Sequence, residues 1–378
     1  MRINILTPGR FHVCDLAREL SMLGHEVRFY SYVPKFRTSQ FGLPPQCARP
    51  VWTLGLHYLI ARLTGGSFLG DKANNFSIWL MDLIVSETME PCDIVIAMSG
   101  CFYRSVVLAK KKWNAKILIE RGSRHIQSQK KIMDQVCANL NKKAVTVSNS
   151  AIFRELRDYA VADIIVVPSH HVFKSMIEEG VSAKKIFRNP YGTSLIHFKP
   201  TIAPPLAPLV ICMAGTWSYR KGCDLLSQAL YKSTYQLVHV GILGDCPFPR
   251  LENFKHIGKV DQTQLALIYA QAHLFVLPSR EEGMALVLGQ ALACGLPIVC
   301  SDKTGGEDLM EILTPTEKKL ITVVPSNDVE SLKRGIEKVV EIARQQKGLR
   351  QISNNSLEKM SWRAYGNRYN QFLETLTT

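Results

Sequence analysis

Two adjacent carboxylates, Glu281 and Glu282, stand in a loop between a predicted strand at residues 274–277 and a predicted helix. The start of that helix would offer unpaired N–H groups and the positive end of the helix dipole. In this position Glu282 could accept hydrogen bonds from sugar hydroxyls. Gln290, about two helical turns further along the same face, could reach a ribose. The N–H groups that could hold a phosphate belong to Gly283, Met284, Ala285 and Leu286. The alternative is a helix start that is simply capped by acidic residues.

A lysine, Lys221, stands at a second predicted junction between a strand and a helix. The strand covers residues 210–214 and the helix residues 223–230, with Gly215 at the start of the connecting loop. An ammonium group at such a junction can neutralise a leaving diphosphate as negative charge develops on it. The alternative is a solvated surface pair formed by Arg220 and Lys221.

The elements that must position these residues are short apolar strands that alternate with amphipathic helices along the chain. This alternation predicts an α/β protein with parallel sheets. Open sheets of this type bind ligands at the carboxyl ends of their strands. The first predicted series has strands at residues 3–6, 27–30, 93–98, 117–120, 144–147 and 163–168. The second has strands at residues 209–214, 237–242, 256–257, 274–277 and 298–300.

The Pro-rich stretch at residues 200–208 separates the two series and predicts a linker. We therefore expect two Rossmann-like domains that face a cleft, an N-terminal one at residues 1–195 and a C-terminal one at residues 196–355. The last residues, 356–378, include an amphipathic pattern from Trp362 to Leu376 and are expected to pack back on the N-terminal domain.

Composition and charge limit the possible partners. The 378 residues are 46% hydrophobic and 21% charged, which is typical of a folded globular protein and excludes a disordered chain. The formal net charge is +14, and it is concentrated in residues 1–195, which favours anionic partners such as nucleotides or an acidic membrane surface. The ten cysteines form no C-x-x-C pair, so neither a zinc site nor a disulfide framework is predicted. The short apolar run before Pro8 is too short for a signal peptide, and a cytoplasmic protein is expected.

The two junctions together resemble the retaining glycosyltransferases of the GT-B fold, family four, also called glycosyl transferases group 1. The family pattern P-S-x-x-E-G, followed by a second Glu and by G-x-P, is matched from Pro278 to Pro297, with Glu282 on the first acid and Gln290 in place of the second. The family pattern G-R-x-x-x-K-G is matched at Gly215 and Lys221. Thr216 stands in place of its Arg, for which Arg220 is the candidate substitute.

The resemblance extends to other loops. It implies that Gly9 and Arg10 lie in a first loop that covers the donor, and that Arg121 and His125 contact the donor sugar or the acceptor. The base pocket would be lined by Gly258, Lys259 and Val260. For Gly9, His125 and the base-pocket residues, a purely structural role is the open alternative.

The resemblance implies transfer of a sugar from a nucleoside diphosphate to an acceptor hydroxyl, with catalytic roles for Glu282 and Lys221. It implies no metal and no cofactor, with a nucleotide sugar as donor and a glycan or a lipid-linked molecule as acceptor. Bacterial cell-envelope glycan synthesis is the expected setting. Loss of the second acid leaves open a non-catalytic nucleotide-sugar-binding protein, and a nucleotide-sugar epimerase has the same two-lobed fold.

The apolar stretch at residues 51–85 has two interpretations. It either forms core helices or presents an amphipathic surface to an anionic membrane, helped by lysine clusters at residues 110–112, 130–131 and 142–143. A dinucleotide-dependent oxidoreductase is disfavoured because the first loop lacks G-x-G-x-x-G, and no aromatic-basic motif indicates nucleic-acid binding.

Overall fold

The computed structural model describes residues 1–51, 68–141 and 147–377 of the chain. Within these residues, two parallel sheets of seven and six strands are flanked by helices. The predicted α/β class with two Rossmann-like lobes is confirmed. The strand predicted at residues 144–147 falls almost wholly outside the described residues.

The first lobe is built on the seven-stranded sheet, with strand order β3-β2-β1-β4-β5-β6-β7. The strands are Arg2–Leu6 (β1), Glu26–Ser31 (β2), Ala48–Pro50 (β3), Ile94–Met98 (β4), Lys116–Glu120 (β5), Ile164–Val167 (β6) and Ile186–Arg188 (β7). The helices are Phe11–Met22 (α1), Lys35–Ser39 (α2), Phe68–Thr88 (α3), Tyr103–Trp113 (α4), Ile126–Asn139 (α5), Asn149–Val161 (α6) and His170–Glu178 (α7). Most positions of the central strands are buried, because helices cover both faces of the sheet.

The second lobe is built on the six-stranded sheet, with strand order β10-β9-β8-β11-β12-β13. The strands are Val210–Ala214 (β8), Gln236–Val240 (β9), Phe254–Ile257 (β10), Leu274–Leu277 (β11), Ile298–Ser301 (β12) and Ile321–Val324 (β13). The helices are Cys223–Ala229 (α8), Gln262–Gln271 (α9), Leu286–Ala293 (α10), Gly306–Glu311 (α11), Val329–Gln345 (α12) and Asn354–Met360 (α13). In both sheets the carboxyl ends of the central strands point toward the other lobe, which places the loops that follow them at the interface.

The last helix, Trp362–Thr377 (α14), packs against α1 of the first lobe. Tyr365, Tyr369 and Leu373 are fully buried there, in the same core as Leu16 and Phe29. Burial of three large side chains contributes several kcal/mol of hydrophobic stabilisation, so α14 is part of the first lobe's core.

The stretch at residues 51–85 lies partly outside the described residues. In its described part, α3 buries Met81 and Val85 but exposes Phe76 and Trp79. This helix therefore has one core face and one solvent face. No helix among the described residues is both long and apolar enough to cross a bilayer.

Candidate active site between the two lobes

A pocket of about 670 Å³ lies between the lobes, at the carboxyl ends of both sheets. Nine of the sequence-predicted site residues line it: Arg10, Arg121, Gly215, Lys221, Glu282, Met284, Ala285, Leu286 and Gln290. The pocket thus brings together groups from four separate loops.

Lys221 and Glu282 form an ion pair in this pocket. Their side chains are 19% and 11% exposed, respectively, so both charges are held at the pocket surface and partly shielded from water. The loops that carry them are in close contact, since a Cβ at Gly222 would lie 2.1 Å from the Pro278 carbonyl oxygen. Only glycine permits that approach, and its φ of +69° is also one that favours glycine.

The start of α10 supplies N–H groups to the same pocket. Leu286 and Val287 line it and belong to the first helical turn, where N–H groups have no partner within the helix. The Ala285 N–H donates to the Thr304 carbonyl at 3.0 Å and is not free to bind a ligand. One of the four N–H groups predicted to bind phosphate is therefore already occupied, and phosphate binding at this helix start stays a prediction.

Gln290 presents an unpartnered acceptor to the pocket. Its Oε1 atom is buried and has no hydrogen-bond partner among the described residues. Because a buried acceptor without a partner costs free energy, this atom is suited to receive a donor from a ligand, such as a ribose hydroxyl.

Glu281, the neighbour of Glu282, points away from the pocket and into the contact between the lobes, here called the seam. It is fully buried and accepts hydrogen bonds from Ser123 Oγ and from Gln129 at 3.2 Å, both in the first lobe. Arg220 of the second lobe donates to it from Nε at 2.7 Å. Burial opposes ionisation of this carboxyl, but Arg220 and the Ser123 hydrogen bond outweigh burial and lower its pKa. Arg220 does not line the pocket, so its predicted role as a phosphate ligand does not fit this arrangement.

Gly283 also belongs to the seam and not to the pocket. A Cβ at this position would lie 1.9 Å from the Gly122 carbonyl oxygen of the first lobe. The Gly283 carbonyl accepts a hydrogen bond from Ser169 Oγ at 2.7 Å. The absence of a side chain therefore allows the two lobes to meet.

The first-lobe predictions have mixed outcomes. Arg121 lines the pocket, but Glu155 at 2.6 Å and Gln129 at 2.7 Å already accept from its guanidinium. The prediction that His125 points into the cleft is wrong. His125 caps the start of α5 by accepting from the Gln127 N–H, and burial lowers its pKa.

Five further predicted residues lie outside the pocket lining. Gly9 shapes the first loop through hydrogen bonds with Thr7 Oγ1, and Thr216 is exposed after β8. Gly258, Lys259 and Val260 follow the edge strand β10, and the first two are exposed. Their predicted contacts with a nucleotide base stay predictions.

Sequence reasoning missed several first-lobe groups in the pocket, among them His12, Ser99 and Trp362. His12 follows the Pro-Gly turn after β1, and a polar side chain just after a strand end was the available signal. Nothing local marks Trp362, because α14 reaches the pocket only through the tertiary fold.

Comparisons with known proteins agree with this geometry. Residues 207–341 match the sequence model of the family described as Glycosyl transferases group 1. The matched residues lie in the second lobe. They include Lys221, Glu282 and Gln290, three of the predicted residues that line the pocket.

A curated relative from Arabidopsis thaliana is one of the subunits of phosphatidylinositol N-acetylglucosaminyltransferase. It is 27% identical over 201 residues, which is 49% of this chain and 43% of the relative. The chain thus matches less than half the length of that relative.

Solved structures match over almost the whole chain. Sucrose-phosphate synthase from Thermosynechococcus elongatus covers 100% of this chain and 99% of its own at 18% identity, with a TM-score of 0.67. Anabaena HepE in complex with UDP-glucose covers 99% and 100% at 14% identity, with a TM-score of 0.64. The lipopolysaccharide outer core galactosyltransferase WaaB covers 99% of each chain at 15% identity, with a TM-score of 0.62. At these identities the likeness is one of fold, and the two lobes together adopt the GT-B fold.

Proposed function

We propose that this chain is a glycosyltransferase that moves a sugar from a nucleoside-diphosphate sugar to an acceptor hydroxyl with retention of anomeric configuration. The observation that carries the proposal is the pairing of Lys221 with Glu282 in the pocket between the lobes, beside the start of α10. The match of residues 207–341 to a glycosyltransferase family supports it. So does the shared fold with HepE, whose structure contains UDP-glucose.

Each pocket group binds a different part of the donor. The Lys221 ammonium and the N–H groups of Leu286 and Val287 bind the diphosphate and stabilise the charge that develops as it leaves. When phosphate engages Lys221, the Glu282 carboxylate becomes free to accept hydrogen bonds from hydroxyls of the transferred sugar. Gln290 accepts from a ribose hydroxyl.

The chemical step breaks the bond between the anomeric carbon and the diphosphate oxygen and forms a bond from that carbon to the acceptor oxygen. The acceptor proton passes to the departing phosphate oxygen on the same face, which preserves the configuration. Because Lys221 and the helix start supply positive charge, we propose that transfer needs neither a metal nor a cofactor. Turnover is then expected to be unchanged by EDTA.

We further propose a glycan or lipid-linked acceptor, bacterial envelope glycan synthesis and a cytoplasmic location with peripheral contact to an anionic membrane. The exposed Phe76 and Trp79 on α3 and the chain's net charge of +14 support membrane contact. The shared fold with WaaB is consistent with an envelope role. A flotation assay with vesicles of anionic and of neutral lipid, comparing wild type with Trp79→Ser, tests the membrane contact.

The test of the main proposal combines ligand binding with turnover. The melting temperature is measured with UDP, GDP and ADP and with their sugars, since a ligand of the folded state raises it. Turnover is then followed with the nucleotide sugar that raises the melting temperature, here called the stabilising donor. It is measured for wild type, for Glu282→Ala and for the surface control Glu341→Gln, whose side chain is 62% exposed. We expect Glu282→Ala to bind the nucleotide and to lose most of its transfer.

The other outcomes separate the rival functions. Nucleotide-sugar binding without release of the diphosphate in any protein sample indicates a binding protein. Conversion of the donor to an epimer without transfer indicates an epimerase. Equal turnover in Glu282→Ala and Glu341→Gln removes Glu282 from the mechanism.

A further inference from the structure

His12 faces the pocket from the side opposite Lys221 and Glu282. It is the second residue of α1 and is 6% exposed. The residue before it, Phe11, has a φ of +36°, a backbone angle that residues other than glycine rarely adopt. The backbone is therefore strained at the position from which His12 enters the pocket.

A buried carboxylate fixes the orientation of the His12 ring. Glu120, at the end of β5, is 1% exposed and accepts from His12 Nε2 at 3.0 Å. Its other oxygen accepts from the Tyr369 hydroxyl of α14 at 2.7 Å. In a neutral ring whose Nε2 proton is directed at Glu120, the Nδ1 atom is a hydrogen-bond acceptor.

The Nδ1 atom has no hydrogen-bond partner among the described residues. It is also not one of the unpartnered side-chain atoms that are shielded from solvent. The ring itself is held between aromatic neighbours. Its centroid lies 4.2 Å from that of Tyr191 and 6.5 Å from that of Tyr365. A rigid ring thus presents one unused acceptor atom to the pocket.

We propose that His12 Nδ1 binds a hydroxyl of the acceptor, and that the acceptor is a sugar or a sugar-like ring. This inference rests on the proposed function and adds the residue that holds the acceptor and the atom that binds it. Lys221, Glu282 and Gln290, to which the proposed function assigns the donor, all come from the second lobe. On the first-lobe side the predicted donor contacts in the pocket are Arg10 and Arg121, which leaves His12 for the acceptor.

The surroundings of His12 fit a hydroxylated ring. Trp362 offers an aromatic face on which the C–H groups of a sugar can pack, and Ser99 and Thr193 offer hydroxyl groups. His12 binds a hydroxyl next to the reacting one and leaves the reacting proton directed at the diphosphate. Its role is to bind and orient the acceptor, and Glu120 and Tyr369 are positioning residues.

Two variants of His12 separate its two nitrogen atoms. The amide of His12→Gln can still reach Glu120 in place of Nε2 but offers nothing at the position of Nδ1. The amide of His12→Asn can replace Nδ1 but does not reach Glu120. If His12→Gln failed to fold, His12→Asn and Tyr369→Phe, which removes one hydroxyl from Glu120, would still test the network.

The assay uses the donor that the nucleotide screen identifies. Its acceptors are free glucose, galactose, mannose and N-acetylglucosamine and the octyl glycosides of the same sugars, which separates a free sugar from a lipid-linked one. For the acceptor that is glycosylated, we expect His12→Gln to raise the acceptor KM about tenfold or more, the effect of one lost hydrogen bond to a well-oriented group. The Kd of the nucleoside diphosphate is expected to be unchanged. His12→Asn is expected to raise the acceptor KM less than His12→Gln does.

The outcomes distinguish this inference from the proposed function. Wild-type protein that binds no nucleoside diphosphate overturns the proposed function itself. Protein that binds and cleaves the donor but glycosylates none of the sugars or glycosides overturns the acceptor class. An acceptor KM in His12→Gln equal to that of wild type overturns the role of His12, while the proposed function stands.

Discussion

Glu281 and Glu282 are adjacent in sequence but belong to two different regions of the molecule. In the seam, the carboxylate of Glu281 is fully buried and accepts hydrogen bonds from donors of both lobes. In the pocket, Glu282 has a lysine partner that a phosphate can attract away. Glu282 also accepts a long hydrogen bond from Ser279 Oγ at 3.5 Å. The comparison shows that a buried acid with several fixed donors stabilises a structure, whereas an acid whose charged partner can be exchanged for a ligand is available for chemistry.

The largest expected effect is the loss of the pocket cation. We expect Lys221→Ala to lower kcat about 10²–10³-fold, because the charge that develops on the diphosphate loses its main stabilising group. Steady-state kinetics with the stabilising donor measure this change in kcat. The matched control is Lys333→Ala, which removes a 43% exposed lysine from α12. Equal turnover in the two variants would remove Lys221 from the mechanism.

The second prediction disturbs the seam without changing a charge. In Gly283→Ala the new Cβ would overlap the Gly122 carbonyl, so the lobes must move apart at an expected cost of about 1–3 kcal/mol. Small-angle X-ray scattering should show a larger radius of gyration, and turnover should fall. Gly258→Ala is the control for the scattering measurement alone, since no atom lies within 4 Å of its added Cβ but Gly258 is itself a predicted base-pocket residue. Identical scattering from both variants would show that the seam tolerates a methyl group.

The third prediction uses pH to isolate the Glu281 charge. Glu281→Gln should lower the free energy of unfolding at neutral pH by about 2 kcal/mol, because hydrogen bonds to an ionised group are lost. The pKa of Glu281 is lowered in the folded protein, so its stabilisation is present above the ordinary value of 4.5 and is lost as the pH falls through the folded pKa. The difference in melting temperature between wild type and variant should therefore narrow as the pH is reduced below 4.5. A difference that is constant with pH would mean that the Glu281 charge does not stabilise the seam.

The smallest expected effect concerns Gln290. Gln290→Met should weaken donor binding about tenfold, which is roughly 1.4 kcal/mol, because one hydrogen bond is lost while the volume is retained. Titration calorimetry with the nucleoside diphosphate measures it. Gln290→Glu serves as the comparison, since it keeps the acceptor oxygen and should retain most of the affinity. Unchanged binding in Gln290→Met would exclude a contact with the nucleotide.

The second-lobe part of the site could be predicted because each piece is local. A strand, a loop and a helix follow each other directly around Lys221 and around Glu282, so spacing alone places these side chains at a strand end. The same holds for the two parallel sheets, which follow from alternating apolar strands and helices. The three-residue strands β3 and β7 and the four-residue strand β13 were missed, because such short segments carry no readable periodicity.

The first-lobe part could not be predicted in the same way. His12 and Glu120 are 108 positions apart, and their contact exists only because β1 and β5 belong to one sheet. The capture of Arg220 by Glu281 joins two loops of the second lobe that are 61 positions apart in sequence, so a basic residue that looked free in the sequence is already bound. His125 misled for a similar reason, since a strand-end histidine can also cap the next helix.

The return of α14 to the first lobe sets an order on the synthesis of the chain. Tyr365, Tyr369 and Leu373 complete a core that includes residues of β1, β2 and α1. A ribosome makes those early elements more than three hundred residues before the helix that covers them. The first lobe must therefore expose apolar surface until translation reaches α14, and a chaperone has its longest opportunity to bind there.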